Sequence, residues 1–266
     1  MSGPVQLDLF DYRPGFDRSS AAESLQPCIP EELSDEGLIS AIPDAGLADA
    51  DAMAAEAGRR RLTAAVPALA SRCNRFVGYG ADVAVPEQAA ALQALALTGG
   101  PEASQAVVQL IVRRIVQGPT LANAITVASQ LRVIFPIEAA LALLQHSDPS
   151  VRTPTCACVR SGYEVVTILI AMLDDTDDEV AIASACALGR MGRMEALIYL
   201  KRYLTERPSV RVVEALVGVA DDEAIVFLQR AGHFRRELAP SIISALEEID
   251  TEKALKAAAT LKRVSD

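Results

Sequence analysis

Few residues in this 266-residue chain have the types and spacing that chemistry needs. The two histidines, His146 and His233, lie far apart, and neither belongs to a His-Glu-x-x-His run. No P-loop, Gly-x-Ser-x-Gly or Gly-x-Gly-x-x-Gly stretch occurs, so histidine catalysis, zinc and nucleotide cradles lack their residue sets. The five cysteines, Cys28, Cys73, Cys156, Cys158 and Cys186, form no Cys-x-x-Cys pair. Cys156 and Cys158, two apart, point away from each other on a helix, so free, buried thiols acting as small hydrophobes are expected. Asp174, Asp175, Asp177, Asp178 and Glu179 concentrate negative charge but lack the glycine and alternating ligand spacing of an EF-hand loop. Helix capping and solvation of a loop account for them, and no metal or cofactor is expected.

The cations form one local cluster. Arg59, Arg60, Arg61, Arg72 and Arg75 fall in a stretch with no acid from residue 57 to residue 81, which suits an anion or the acidic start of the same chain. Charge is divided unevenly. Residues 1–57 hold twelve acids and two bases, whereas residues 58–266 hold 23 of each, so the net −10 belongs to the beginning. The body is neutral, which keeps anionic partners open despite the acidic isoelectric point. Phosphate binding needs many bases on one face, and Arg113-Arg114, Lys201-Arg202 and Arg235-Arg236 are instead spread along the chain.

The elements that must position these residues are helices. Apolar residues make up 51% of the chain, mostly Ala, Leu and Val, with 4% aromatics and no Trp. Ala and Leu favour helix, whereas a sheet protein would use more β-branched and aromatic residues. No run approaches the ~18–20 apolar residues needed to span a bilayer, and no apolar leader follows Met1, so a soluble cytosolic protein is expected. Residues 1–33, with four prolines, keep no helical period and predict an extended or disordered acidic arm. Residues 34–266 predict the folded body. Ser34 or Asp35 can cap a short helix over Glu36–Ile42, stopped by Pro43. Ala48–Gly58 and Arg59–Phe76 read as a first helix pair, and Pro86 starts another helix at a position it favours.

From there a period is measurable. Leu92, Leu121, Val151, Val180, Val210 and Leu238 recur every 28–30 residues in first helices. Glu164, Glu195, Glu223 and Lys253 open second helices every 28–31 residues. A 30-residue period of helix pairs is the pattern of an α-solenoid, whose units bury too little alone and stack on their neighbours. The fold class predicted is all-α, a solenoid of about seven antiparallel helix pairs.

The stretch Asp177–Leu204 carries an acidic loop, a small-residue helix, a Leu188-Gly189-x-x-Gly192 turn and a Leu-rich second helix. It resembles one unit of the HEAT repeat, in the variant found in phycobilisome-lyase HEAT-like proteins. The resemblance covers residues 86–264 well and 48–76 weakly, and it speaks for fold rather than activity. Some proteins of that variant attach bilins, but no pigment pocket is legible here. HEAT-like DNA glycosylases grip DNA on a basic concave face, so nucleic acid stands as an alternative partner.

The resemblance further implies that second helices line the partner surface. In the best unit Leu197, Leu200 and Leu204 face inward, which leaves Glu195, Tyr199 and Arg202 on the opposite stripe. One repeat on, Glu223, Phe227 and Arg230 occupy those places, and Tyr/Arg and Phe/Arg pairs are residue types enriched in binding hot spots. The alternative is that Phe227 is core and the arginines only solvate the surface. Within the arm, Gln6-Leu7-Asp8-Leu9-Phe10 matches every position of the bacterial sliding-clamp-binding pentapeptide it resembles. That resemblance implies an extended peptide with Gln6 in one subsite and Leu9 and Phe10 anchored in an apolar cleft of the clamp. The arm folding back onto its own body is the competing reading. The functional expectation is a non-enzymatic scaffold or adaptor with a protein partner on the second-helix surface.

Overall fold

The computed structural model describes residues 29–265. Among them fifteen α-helices occur and no strand. After α1 (Asp35–Ala41), seven pairs follow: α2 (Leu47–Arg59) with α3 (Val66–Asn74), α4 (Pro86–Thr98) with α5 (Gly100–Val112), and α6 (Gly118–Gln130) with α7 (Ile137–Leu144). Then come α8 (Pro149–Thr155) with α9 (Tyr163–Ala171), α10 (Asp178–Arg190) with α11 (Leu197–Glu206), α12 (Val210–Val217) with α13 (Asp222–Phe234), and α14 (Ala239–Ile249) with α15 (Glu252–Ser265).

The first helices α2, α4, α6, α8, α10, α12 and α14 stack without interruption, and each second helix fits against the first helix of the next pair. This is an α-solenoid. The second layer is uneven: α3 packs on α5, α7 on α9, and α11 on α13 and then α15, whereas α5 and α7, and α9 and α11, meet at most sparsely, at two breaks.

Local sequence explains the boundaries. Ser34 caps α1 by accepting from the Gly37 amide at 3.1 Å, as its hydroxyl predicts. Asp177 caps α10, accepting from the amides of Glu179 and Val180, and Asp221 caps α13 through Ala224. Pro86 stands in the first turn of α4. Every residue of α10 from Val180 to Gly189 is buried, because this helix has neighbours on both sides and a second helix beneath.

Three sequence expectations need correction. No single helix runs from Arg59 to Phe76: Arg61 takes a left-handed conformation (φ 54°) that ends α2, and α3 begins at Val66. Glu195 opens a 3-10 turn before α11 rather than α11 itself. The 30-residue marker also drifts out of register. Val210 is 43% exposed while Val212 is fully buried, and Leu121 is only half-buried beside buried Thr120. Counted from the residue preceding each first helix from α4 to α12, the shared buried place three residues on is held by Gln88, Thr120, Val151, Val180 and Val212. Two of these are polar, so an apolar marker cannot follow the register through them.

Candidate protein-binding surface

The second helix α11 carries the best-defined cluster. Leu200 and Leu204 are buried and fix its rotation, which turns Arg202 outward and leaves Tyr199 half-buried against the core, short of the outward stripe expected for it. The Tyr199 hydroxyl donates to Asp174 Oδ1 at 3.1 Å, across the break between α9 and α11. That hydrogen bond, with partial burial, raises the phenol above its ordinary value. The Arg202 guanidinium lies 5.4 Å from the Tyr199 ring centre and 4.9 Å from that of Tyr203, and donates to the Tyr203 hydroxyl at 3.0 Å. Stacking of this kind is worth about 0.5–1 kcal/mol at an exposed site, and it holds a flat cationic surface in place before any partner arrives. Tyr203 itself is buried, a role the outward stripe did not reveal.

One repeat on, Phe227 and Arg230 line a groove of about 390 Å³ between α11 and α13, with Leu204, Thr205, Ala231, Phe234 and Arg235. Phe227 is half-buried against the core, while Arg230 is exposed. Phe234 is 78% exposed at the end of α13, with His233 edge-on to it at 5.6 Å. Sequence reasoning missed Phe234, although its place one turn beyond Arg230 was a signal. Tyr199 and Phe227 are equivalent in a specific sense, since each sits on the seam with the preceding second helix. They do not share one pocket: α11 presents Tyr199 to the α9 side and Thr205 to the α13 side.

The arginine cluster of repeat one does not present five cations to solvent. Arg72 is 2% exposed; its Nη1 donates to Ala45 O at 2.6 Å, while Nε and Nη2 are buried with no acceptor among the described residues. Arg75 donates to Pro43 O at 3.3 Å. Arg60 clamps the incoming chain, donating to the carbonyl oxygens of Pro30, Glu31 and Leu33 and to Asp35 and Glu56. Glu56 also pairs with Arg59, and hydrogen bonds from Arg59 and then Arg60 hold its carboxyl well below the usual range, at about 2. Of the five, Arg61 and Arg75 are exposed with no carboxylate partner among the described residues. Gln6, Leu7, Asp8, Leu9 and Phe10 lie outside the described residues.

The acidic stretch works as capping and stitching. Asp175 accepts from the Asp177 amide and pairs with Arg152 at 2.8 Å. Asp178 pairs with Arg207, and Glu179 with Arg211. His146 Nδ1 accepts from the Asp148 amide, a loop contact. Cys73, Cys156, Cys158 and Cys186 are free and buried, and burial pushes their thiols up to about 12, 12, 12 and 11. Among the described residues no group of three or more His, Cys, Asp or Glu could hold a metal ion, and no helix is long and apolar enough to cross a membrane.

A groove of about 700 Å³ lies on the first-helix layer, where α8 has only seven residues between thirteen-residue neighbours. Pro149 and Pro154, at the start and inside of that helix, were the sequence signal for its shortness.

No protein-family model matches this chain, and no curated protein matches it. The fold does have a counterpart among solved structures. The X-ray structure of YibA from E. coli, a HEAT-repeat-like helical protein, aligns over 84% of this chain and 94% of its own length. The TM-score is 0.51 at 16% sequence identity. At that identity the likeness concerns architecture alone: the chain shares a helical-repeat fold with YibA.

Proposed function

We propose that this chain is a non-enzymatic helical-repeat scaffold of the HEAT type, working in a bacterial cytosol, that binds a protein partner through its second helices. The observation that carries the reading is the groove between α11 and α13. There Phe227 and the exposed Phe234 offer apolar area beside Arg230 and Arg235, for which no carboxylate partner is found among the described residues. Aromatic and arginine anchors at the centre of a concave surface are the usual composition of a hot spot. The Tyr199–Arg202 stack extends the same face by one seam.

The arm supplies a second contact. Residues Gln6–Phe10 act as a docking peptide for the sliding clamp, which makes the protein an adaptor in replication or repair. Two weak sites on one chain then gain affinity through effective concentration. The bilin-lyase and nucleic-acid readings gain no comparable support, since Arg60 and Arg72 are occupied inside the chain.

The test uses purified clamp and the intact chain. A Gln6→Ala, Leu9→Ala, Phe10→Ala variant should lose clamp binding in calorimetry, and unchanged affinity removes the clamp reading. Separately, Phe227→Ala with Arg230→Ala should abolish capture of a partner that the native chain retains, with the helical circular dichroism intact. Loss of the helical signal instead would assign those residues to the core.

A further inference from the structure

The break between α5 and α7 leaves a groove of about 580 Å³ whose lining includes Ile111, Val112, Leu121, Ala142 and Arg114. Val112 stands 45% exposed in it. Arg114 takes a left-handed conformation (φ 56°) at the end of α5, a place where glycine is the unstrained residue. Arg113 and Arg114 are both exposed and have no carboxylate partner among the described residues. Other titratable groups lining the groove are Glu138, in the first turn of α7, and His146. This groove is therefore apolar, with a cationic edge at the end of α5.

We infer that the occupant of this groove is the chain's own segment Val5–Asp11. Leu7, Leu9 and Phe10 supply the apolar area, and Asp8 and Asp11 supply charge opposite to Arg113 and Arg114. Tether length selects this groove over the one between α11 and α13. The first described residues, Pro30–Glu32, pack against α2. The groove flanks α6, two first helices further on, about 20 Å along the stack, and its Arg114 edge stands at the opposite end of the helices from Arg60, which holds Pro30–Leu33, so the whole gap is about 30 Å. Seventeen residues separate Asp11 from Ile29, and a random chain of that length has a root-mean-square span of about 20–25 Å. The nearer the span of a tether comes to the gap, the higher the effective concentration. The α11–α13 groove lies roughly twice as far and demands a nearly straight tether.

Seated there, residues 6–10 are unavailable to any other protein. That consequence rests on the clamp reading; the contact between arm and groove does not.

The experiment keeps the full chain. Tyr12→Cys is combined with Ala142→Cys in the groove or, as control, with Ser244→Cys on α14, with Cys28→Ser in both. Crosslinking by a short bismaleimide should join 12 to 142 roughly tenfold faster than 12 to 244, at a rate independent of protein concentration. Arg114→Gly should bring the first rate down to the control while leaving thermal stability equal or higher, since glycine relieves the left-handed backbone. Equal rates for the two pairs, a rate that scales with protein concentration (a second copy in the groove), or indifference to Arg114→Gly each overturns the assignment. No clamp is present in the assay, so its result is independent of what else residues 6–10 bind.

Discussion

Gly189→Ala is the substitution in which helix propensity and packing make opposite predictions. Gly189 is in the last turn of α10, where alanine is still favoured on intrinsic grounds, though by less than the ~1 kcal/mol of a helix interior. A methyl there would stand 2.5 Å from the carbonyl oxygen of Ala215 and 2.8 Å from Leu200 Cδ1. Leu200 can turn aside, but the Ala215 oxygen belongs to the backbone of α12. Relief requires α10 and α12 to part by the better part of an ångström, loosening the apolar seam that includes Leu188 and Leu216. Overpacking of this kind costs typically about 1–3 kcal/mol and more where backbone must move, so a net loss of about 2 kcal/mol is expected after the propensity gain. Urea unfolding followed by far-UV circular dichroism measures it. Gly192→Ala is the control: its φ of 69° is strained for alanine, yet the nearest atom lies 3.7 Å away, so its cost is conformational, about 1 kcal/mol. Because a solenoid couples mainly to nearest neighbours, faster hydrogen exchange in Gly189→Ala should concentrate in α10 to α13. A Gly189→Ala protein as stable as the native chain, or more so, would refute the close approach.

Four shorter predictions follow. Glu56 is held at about 2 against an ordinary 4.5, so its stabilising effect is present above the unfolded value and is lost as pH falls through the folded one. Native thermal stability should therefore exceed that of Glu56→Gln at neutral pH, with the gap closing between about pH 4.5 and 2; a gap unchanged at pH 2 would sever the linkage. Arg61→Gly and Arg132→Gly replace left-handed residues (φ 54° and 55°) and should each raise stability by about 1 kcal/mol in urea unfolding, whereas a drop would reveal a stabilising role for the arginine side chain. Val212→Ala should cost about 2 kcal/mol and Val210→Ala about 0.5 kcal/mol, since Val212 is fully buried and Val210 is 43% exposed; the reverse order would restore the original register. In a Cys28→Ser background, the four buried thiols should stay silent to a disulfide reagent until denaturant is added, because burial suppresses both access and thiolate.

The helical period was legible because it depends on residues that serve the same purpose in every copy. Acidic caps such as Asp177 and Asp221, the first-turn Pro86 and the paired small residues of α10 all carry local reasons visible in sequence. What escaped depends on places where one repeat departs from the rest. Gln88 takes a core position because its amide donates to Cys73 O at 3.0 Å and Ile115 O at 3.2 Å. Thr120 takes the next because its hydroxyl accepts from the Val85 amide at 3.0 Å. These partners lie 15 to 35 residues away in sequence, so nothing local marks either residue as core. The arginine cluster misled for the same reason, since Arg60 meets its acceptors 25 to 30 residues upstream. On the candidate surface, the outward direction of Arg202 followed from helix periodicity, but the half-burial of Tyr199 and the groove beside Phe227 needed the neighbouring helices.

The joints between repeats are built in two ways, and this bears on where the molecule can offer grooves. The early joints are tied by the buried neutral bonds of Gln88 and Thr120. Later ones carry ion pairs at the surface: Arg211 with Glu179, Lys201 with Asp221 and Glu223, Lys253 with Asp222. Exposed pairs contribute little, about 0–1 kcal/mol each, so they set register while the apolar stacking of first helices carries stability. That stacking runs unbroken from α2 to α14. A second helix can therefore separate from its neighbour, as α5 does from α7 and α9 from α11, without breaking the spine. At the α5/α7 break the layer opens the groove above α6, and at the α9/α11 break Tyr199 reaches across to Asp174. The third opening, beside Phe227, lies on a packed α11–α13 seam and exists because Phe234 and Arg230 project beyond it. Openings of this kind thus arise where second helices pack loosely or project, whereas the groove of about 700 Å³ beside α8 comes from a short first helix.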